Sequence, residues 1–112
     1  MSQITTHVLD TSKGSPGENI RVELYVRNSA QWSLLASDTT NSDGRIDSWS
    51  LPEPLAAGVY KQRFYTRDYF ASQNTSTFYP EIDVQFEISG DGQHYHVPLL
   101  LNPFGYSTYR GS

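Results

Sequence analysis

Apolar and polar residues alternate strictly over residues 20–27. Ile20, Val22, Leu24 and Val26 occupy one set of positions, and Arg21, Glu23, Tyr25 and Arg27 occupy the other. Successive side chains of a strand point to opposite faces, so this period of two predicts a β-strand with one buried face. Ile82–Ile88 repeats the pattern and predicts a second strand of the same kind.

Turn sequences interrupt the rest of the chain at short intervals, between runs rich in Val, Ile, Tyr, Phe and Thr. Dense turn signals between short runs of this composition predict an antiparallel all-β domain. Further strands are predicted over Ile4–Asp10 and residues 32–36, 45–49, 59–65, 94–101 and 106–110. The stretch "ISGDGQHYHV" predicts a hairpin, with a Gly-Asp-Gly turn between two strands.

One stretch, "TRDYFASQN", differs from the strands and predicts about two turns of helix. Thr66 is expected to cap it, Asp68 to lie in its first turn, and Asn74 to end it. The expected architecture is a two-sheet antiparallel β-sandwich of seven or eight strands with one short helix.

The chain has 112 residues, which suits one domain over residues 1–112. It has no cysteine, which rules out disulfides and thiolate ligands. The net charge of −4, without a basic block, argues against nucleic acid as a partner. Apolar runs are too short to span a membrane, and the first residues do not resemble a signal peptide. A cytoplasmic location is expected, or a periplasmic one if a leader was removed.

The candidate chemistry is carried by three histidines and an arginine. Alternation places His7 on the face of its strand opposite Ile4 and Val8. In the strand over residues 94–101, it places His94 and His96 on the face opposite the apolar side chains. Both His7 and His96 are therefore expected on outer sheet faces. Arg45 follows the turn "NSDG" at the start of a strand.

Each of these residues, taken alone, is most often a solvated surface group, and His94, beside a turn, is interpreted in that way. Three histidines could also bind zinc with an open fourth position. The H-x-H pair lacks a carboxylate partner and a metalloprotease-type signature, so no metal is expected. A G-x-S-x-G elbow is absent from the sequence. The pattern alone therefore does not specify a reaction.

Four motifs in order, however, resemble one family over nearly the whole chain. They are "ITTHVLDTSKGSPG", "NSDGR", "TFYPEIDVQFEI" and "HYHVPLLLNPFGYSTYRGS". They are similar to the 5-hydroxyisourate hydrolases, the transthyretin-like enzymes of urate breakdown, whose C-terminal signature matches Tyr109, Arg110, Gly111 and Ser112.

This resemblance implies hydrolysis of 5-hydroxyisourate without a cofactor. It implies catalytic roles for His7, Arg45, His96 and Ser112, the last through its hydroxyl and a terminal carboxylate. It also implies substrate contacts, from His7, Arg45, Tyr109, Arg110 and Ser112. His7 is expected to activate water and His96 to assist, although these two roles could be exchanged. A homotetramer, a dimer of dimers with sites where the dimers meet, is also implied.

Two other functions remain as alternatives. The same fold serves transthyretin, a thyroid hormone carrier, and fold alone does not separate a carrier from an enzyme. A structural or interaction module that has lost catalysis is the second alternative. The presence of the histidine pair and the Y-R-G-S tail favours the hydrolase over both.

Overall fold

The computed structural model describes residues 3–51 and 54–111 of the chain. Its elements in chain order are β1 (Ile4–Asp10), β2 (Ser15–Pro16), β3 (Arg21–Asn28), β4 (Gln31–Thr39), β5 (Arg45–Ile46), β6 (Gly58–Phe64), α1 (Thr66–Ala71), β7 (Ile82–Ile88), β8 (Tyr95–Asn102) and β9 (Gly105–Thr108). The expectation of a β-sandwich with one short helix is confirmed.

Two sheets form the sandwich. The five-stranded sheet has the order β2-β1-β8-β9, with β5 also paired to β1, and the four-stranded sheet has the order β4-β3-β6-β7. All pairings are antiparallel except one: β1 and β8 run parallel over seven residue pairs, from Ile4 opposite Tyr95 to Asp10 opposite Leu101. The sequence did not predict this parallel pair, because alternation reveals a buried face and not the direction of a neighbour.

The apolar positions of the alternating strands meet between the sheets. Val22 and Leu24 of β3 are fully buried, and so are Val8 of β1 and Leu99 of β8. Burying one such side chain contributes roughly 1.5–3 kcal/mol. The side chains at the intervening positions of β1 and β8 are therefore directed to the outer face of the five-stranded sheet.

The predicted hairpin "ISGDGQHYHV" is wrong. Strand β7 lies in the four-stranded sheet and β8 in the five-stranded sheet, so the turn crosses from one layer to the other. Tyr95 fixes this crossing, because its backbone N–H donates to Gln3 at 2.6 Å and its hydroxyl bonds the backbone N–H of Ser89 at 3.0 Å. Both strands bury an apolar face, and placing them in facing layers lets these faces pack on each other.

The helix is shorter than expected, and its predicted cap is wrong. Thr66 is the first helical residue, and Tyr65 before it makes no side-chain cap. The Thr66 hydroxyl donates instead to the backbone carbonyl of Tyr79 at 3.0 Å. Asp68 does lie in the first turn, and Asn74 has a left-handed backbone with φ of 55° just beyond the helix.

Several strand limits also differ from those predicted. The strand expected over residues 45–49 is only Arg45–Ile46, and the one expected over 106–110 is Gly105–Thr108, while β4 extends over Gln31–Thr39. No helix in the described part of the chain is long and apolar enough to cross a membrane.

Candidate active site

The outer face of the five-stranded sheet brings three of the predicted residues together. In the β1–β5 pair, His7 lies directly opposite Arg45. In the β1–β8 pair, His96 lies directly opposite Thr5, two positions before His7 on the same strand. Residues two apart share a face, so His7, Arg45 and His96 occupy one side of three neighbouring strands.

A tight turn delivers Arg45 to this position. The side-chain carbonyl of Asn41 accepts a hydrogen bond from the Arg45 backbone N–H at 3.0 Å. Gly44 has a left-handed φ of +73°, and a Cβ there would lie 2.4 Å from the carbonyl oxygen of Val8. The turn "NSDG" therefore needs its glycine both for backbone conformation and for close approach to β1.

The Arg45 side chain is partly exposed and already oriented. Its Nε donates to Asp47 Oδ1 at 3.0 Å, with 36% of the arginine side chain and 52% of the aspartate side chain exposed. An ion pair this exposed adds little stability. Its effect is to fix the direction of the guanidinium.

His96 is half-buried, and its ring is anchored. Its Nδ1 lies 2.8 Å from the Thr5 hydroxyl. Burial lowers the pKa of His96, and the positive charge of the nearby Arg45 guanidinium lowers it further. The His96 imidazole is therefore neutral at neutral pH and able to accept a proton.

Thr5 and His94 complete the surroundings of His96, and the sequence did not single them out for this. The same Thr5 hydroxyl lies 3.0 Å from His94 Nε2. The rings of His94 and His96 stack with centroids 6.4 Å apart. Thr5 shares its face with His7 in the alternation of β1, which was the one signal in the sequence that could have identified it.

The tail packs on His96 through Gly111. The Gly111 backbone N–H donates to the His96 carbonyl at 2.9 Å. The Arg110 guanidinium donates to Gln93 Oε1 at 3.0 Å and lies over the Tyr95 ring at 4.6 Å. The tail is thus held in place.

The other predicted tail residues have different surroundings. Tyr109 is 58% exposed, and Ser112 lies outside the described residues. A cavity of about 330 Å³ reaches His96, Tyr109 and Arg110 from the edge of β7. A cavity of about 550 Å³ beside Lys13 and Tyr69 is lined by none of the predicted site residues.

Within residues 3–51 and 54–111, no three His, Asp or Glu side chains form a group that could hold a metal ion. The site consists of two imidazoles, a guanidinium and a hydroxyl. This set can accept a proton from water and stabilise a developing negative charge.

Comparison with known proteins identifies the family. A sequence model described as the HIUase/Transthyretin family matches residues 4–111. The chain belongs to this family. A 5-hydroxyisourate hydrolase of Pseudomonas aeruginosa is 42% identical over 117 residues, covering 100% of this chain and 93% of the relative.

Solved structures of the family share the fold. A Klebsiella pneumoniae 5-hydroxyisourate hydrolase matches with a TM-score of 0.85 and 38% identity, over 97% of this chain and 98% of that chain. Sea bream transthyretin, in complex with thyroxine, matches with a TM-score of 0.92 and 28% identity, over 98% of this chain and 95% of that chain. The family predicted from the sequence motifs is confirmed.

Proposed function

We propose that this chain hydrolyses 5-hydroxyisourate at its cyclic N1–C6 amide, giving 2-oxo-4-hydroxy-4-carboxy-5-ureidoimidazoline on the route from urate to allantoin. One observation carries the proposal. Paired strands hold His7, Arg45 and His96 on one outer face, in a chain 42% identical to a 5-hydroxyisourate hydrolase.

The two histidines provide the proton transfers that amide hydrolysis needs. His7 takes a proton from the attacking water, and His96 assists by orienting water or moving a proton to or from the substrate. The lowered pKa of His96 keeps its ring neutral. His96 is therefore also able to act as the base for water, with His7 in the assisting role. General base catalysis of this kind contributes roughly 10²–10⁴ in rate.

Arg45 stabilises the oxyanion that forms at C6 when water adds. Its guanidinium presents several donors in a fixed plane, which suits a carbonyl that becomes an alkoxide or the urea-like edge of the substrate. Asp47 occupies only the Nε position. The terminal nitrogens remain to face the substrate.

The tail closes the site in this proposal. Tyr109 contacts the substrate ring, and Ser112 orients the substrate or a histidine. Arg110 supports the tail through Gln93 and Tyr95 and contacts the substrate from the cavity that it lines with His96 and Tyr109.

We further propose a homotetramer, a dimer of dimers, with sites where the dimers meet. The position of His7 and His96 on an outer sheet face supports this, since an outer face becomes enclosed only when another subunit covers it. Light scattering at micromolar concentration is expected to give four times the 12.7 kDa chain mass. A monomeric mass with full activity would contradict shared sites.

A carrier function is the second candidate, because the TM-score to thyroxine-bound transthyretin is 0.92 against 0.85 for the Klebsiella hydrolase. Backbone similarity does not distinguish functions within one fold. The higher identity to the hydrolase, 38% against 28%, and the histidine pair favour the enzyme.

The deciding experiment follows the ultraviolet absorbance of freshly prepared 5-hydroxyisourate, corrected for its spontaneous decay. We expect fast decay with the native chain, loss of that decay in His7→Ala, and no effect of chelator treatment. Decay no faster than the blank would refute the enzyme and direct attention to thyroxine binding. Loss of activity on chelation would contradict the expectation that no metal takes part.

A further inference from the structure

The buried Thr5 hydroxyl bridges two imidazoles. Thr5 is 2% exposed, and its Oγ1 lies 2.8 Å from His96 Nδ1 and 3.0 Å from His94 Nε2. His94 is exposed and His96 is half-buried. The hydroxyl therefore links the half-buried ring of the site to a ring that is exposed in the single chain.

The hydrogen count of this bridge allows only two arrangements when both rings are neutral. A hydroxyl has one proton to donate, so one imidazole nitrogen accepts from it and the other donates to it. If Thr5 donates to His94, then His96 carries its proton on Nδ1 and its Nε2 is a free base. If Thr5 donates to His96, then His96 carries its proton on Nε2 and is a hydrogen-bond donor at that atom.

We propose that Thr5 and His94 form a proton relay that sets the tautomer of His96 and connects it to solvent. This inference rests on the proposed hydrolase function. Thr5 and His94 act through His96 and are positioning residues in this scheme. Of these three residues, only His96 touches the substrate.

The proton movements balance. After Nε2 of His96 takes a proton, its Nδ1 proton passes to Thr5 Oγ1, the former Thr5 hydroxyl proton passes to His94 Nε2, and Nδ1 of the exposed His94 releases a proton to water. Both rings are then in the opposite tautomer. After the product leaves, Nε2 of His96 gives its proton to water and Nδ1 of His94 takes one up, so the bridging protons shift back and the starting tautomers are restored. Amide hydrolysis to a carboxylate and a neutral ureido group releases one proton per turnover. The relay gives that proton an exit from a half-buried site.

The charges around His96 favour this direction. Burial disfavours a positive charge on His96, as do Arg45 on β5, His7 on β1 and His94 beside β8, whereas the carboxylate of Asp47 favours it. An imidazolium formed at His96 is therefore driven to lose its proton.

The test uses the full chain with Thr5→Val, Thr5→Ser and His94→Gln. Thr6→Val is the matched control, because Thr6 is fully buried on the same strand and its hydroxyl bonds the carbonyl of Val97, away from the histidines. Each variant is checked for folding by thermal unfolding. The readouts are kcat, KM and the ¹⁵N NMR shifts of the His96 ring, which report its tautomer without substrate.

We expect Thr5→Val to lower kcat by about 10- to 100-fold, within the range of proton-transfer catalysis, with little change in KM. Thr5→Ser should restore kcat to near the native value. His94→Gln should lower kcat, and added imidazole buffer should raise it again. Thr6→Val should leave kcat and the His96 shifts unchanged, even where it lowers the unfolding temperature.

Native kcat and unchanged His96 shifts in Thr5→Val would overturn the relay. Failure of the proposed function gives a different result, because the native chain would then not hydrolyse 5-hydroxyisourate. In that case a changed His96 tautomer in Thr5→Val, and an unchanged one in Thr6→Val, would still support the bridge.

Discussion

Gly111 lies against the His96 imidazole, so closely that a side chain at this position would force the tail or the ring to move. A Cβ at Gly111 would be 2.5 Å from His96 Cδ2 and 3.2 Å from Cγ. The backbone of Gly111 also bonds that of His96 at 2.9 Å. The glycine of the terminal motif thus brings the tail close enough to His96 to form one wall of the site.

Gly111→Ala is expected to lower kcat/KM by about 10²-fold. The added methyl group displaces either the tail or the His96 ring, and a misplacement of about 1 Å in a catalytic group can cost that much in rate. The unfolding temperature should change little, since the tail contributes little to the core. Steady-state kinetics and thermal unfolding measure the two effects.

Gly105→Ala is the matched control for that variant. A Cβ at Gly105 meets only the Asn102 side chain, at an ordinary 3.6 Å. Native activity is expected. Equal losses in both variants would show that the effect of Gly111→Ala is not specific to His96.

Arg45→Lys is expected to lower kcat by about 10²–10³-fold, the usual loss when an oxyanion donor is removed. Lysine keeps the charge but loses the planar set of donors. Arg27→Lys, an exposed arginine on the other sheet, is the control and should behave as the native chain. Near-native turnover in Arg45→Lys would remove the guanidinium from the mechanism.

The pH profile should reflect the lowered pKa of His96. Burial and the charge of Arg45 favour its neutral form, so the proton that inactivates His96 binds only below the ordinary histidine value of about 6.5. The part of the acid limb of kcat/KM that is due to His96 is expected below that value. Arg45→Gln should raise the pKa of His96, measured by NMR titration of its ring.

The same pKa shift has a consequence for stability. Between the folded pKa of His96 and about 6.5, the unfolded chain binds more protons than the folded one, so this residue's contribution to the free energy of unfolding falls as pH decreases through that window. Urea unfolding of the native chain and of His96→Gln across this range measures the difference. Parallel pH dependences in the two chains, or a His96 pKa at or above 6.5, would contradict the assignment.

Gln62→Met is expected to stabilise the fold. Gln62 is fully buried on β6, and its amide nitrogen and oxygen lack hydrogen-bond partners among the described residues. An unsatisfied buried amide costs about 1–3 kcal/mol, and methionine has a similar shape without that cost. Chemical unfolding should show an increase of about 1 kcal/mol or more, with kcat unchanged; a decrease would show that the amide is satisfied in solution.

The sequence by itself predicted the local features of this fold. The alternation in Ile82–Ile88 and around Val22 fixed which side of each strand is buried, because side-chain direction depends only on the strand's own backbone. Alternation in the strands that contain His7 and His96 placed both histidines on an outer sheet face. The motif "NSDGR" located Arg45 at a strand start, and the motifs together gave the family.

Only the tertiary structure decided which strands are neighbours. The hairpin expected after Ile88 is instead a crossing between layers, and β8 joins β1 in parallel across about ninety residues of chain. Which strands become neighbours depends on how the apolar faces of the two sheets pack, and a short stretch of sequence does not contain that information. The choice of neighbours alone places Thr5 between His94 and His96 and Gly111 against His96, because these contacts exist only once distant strands have been paired.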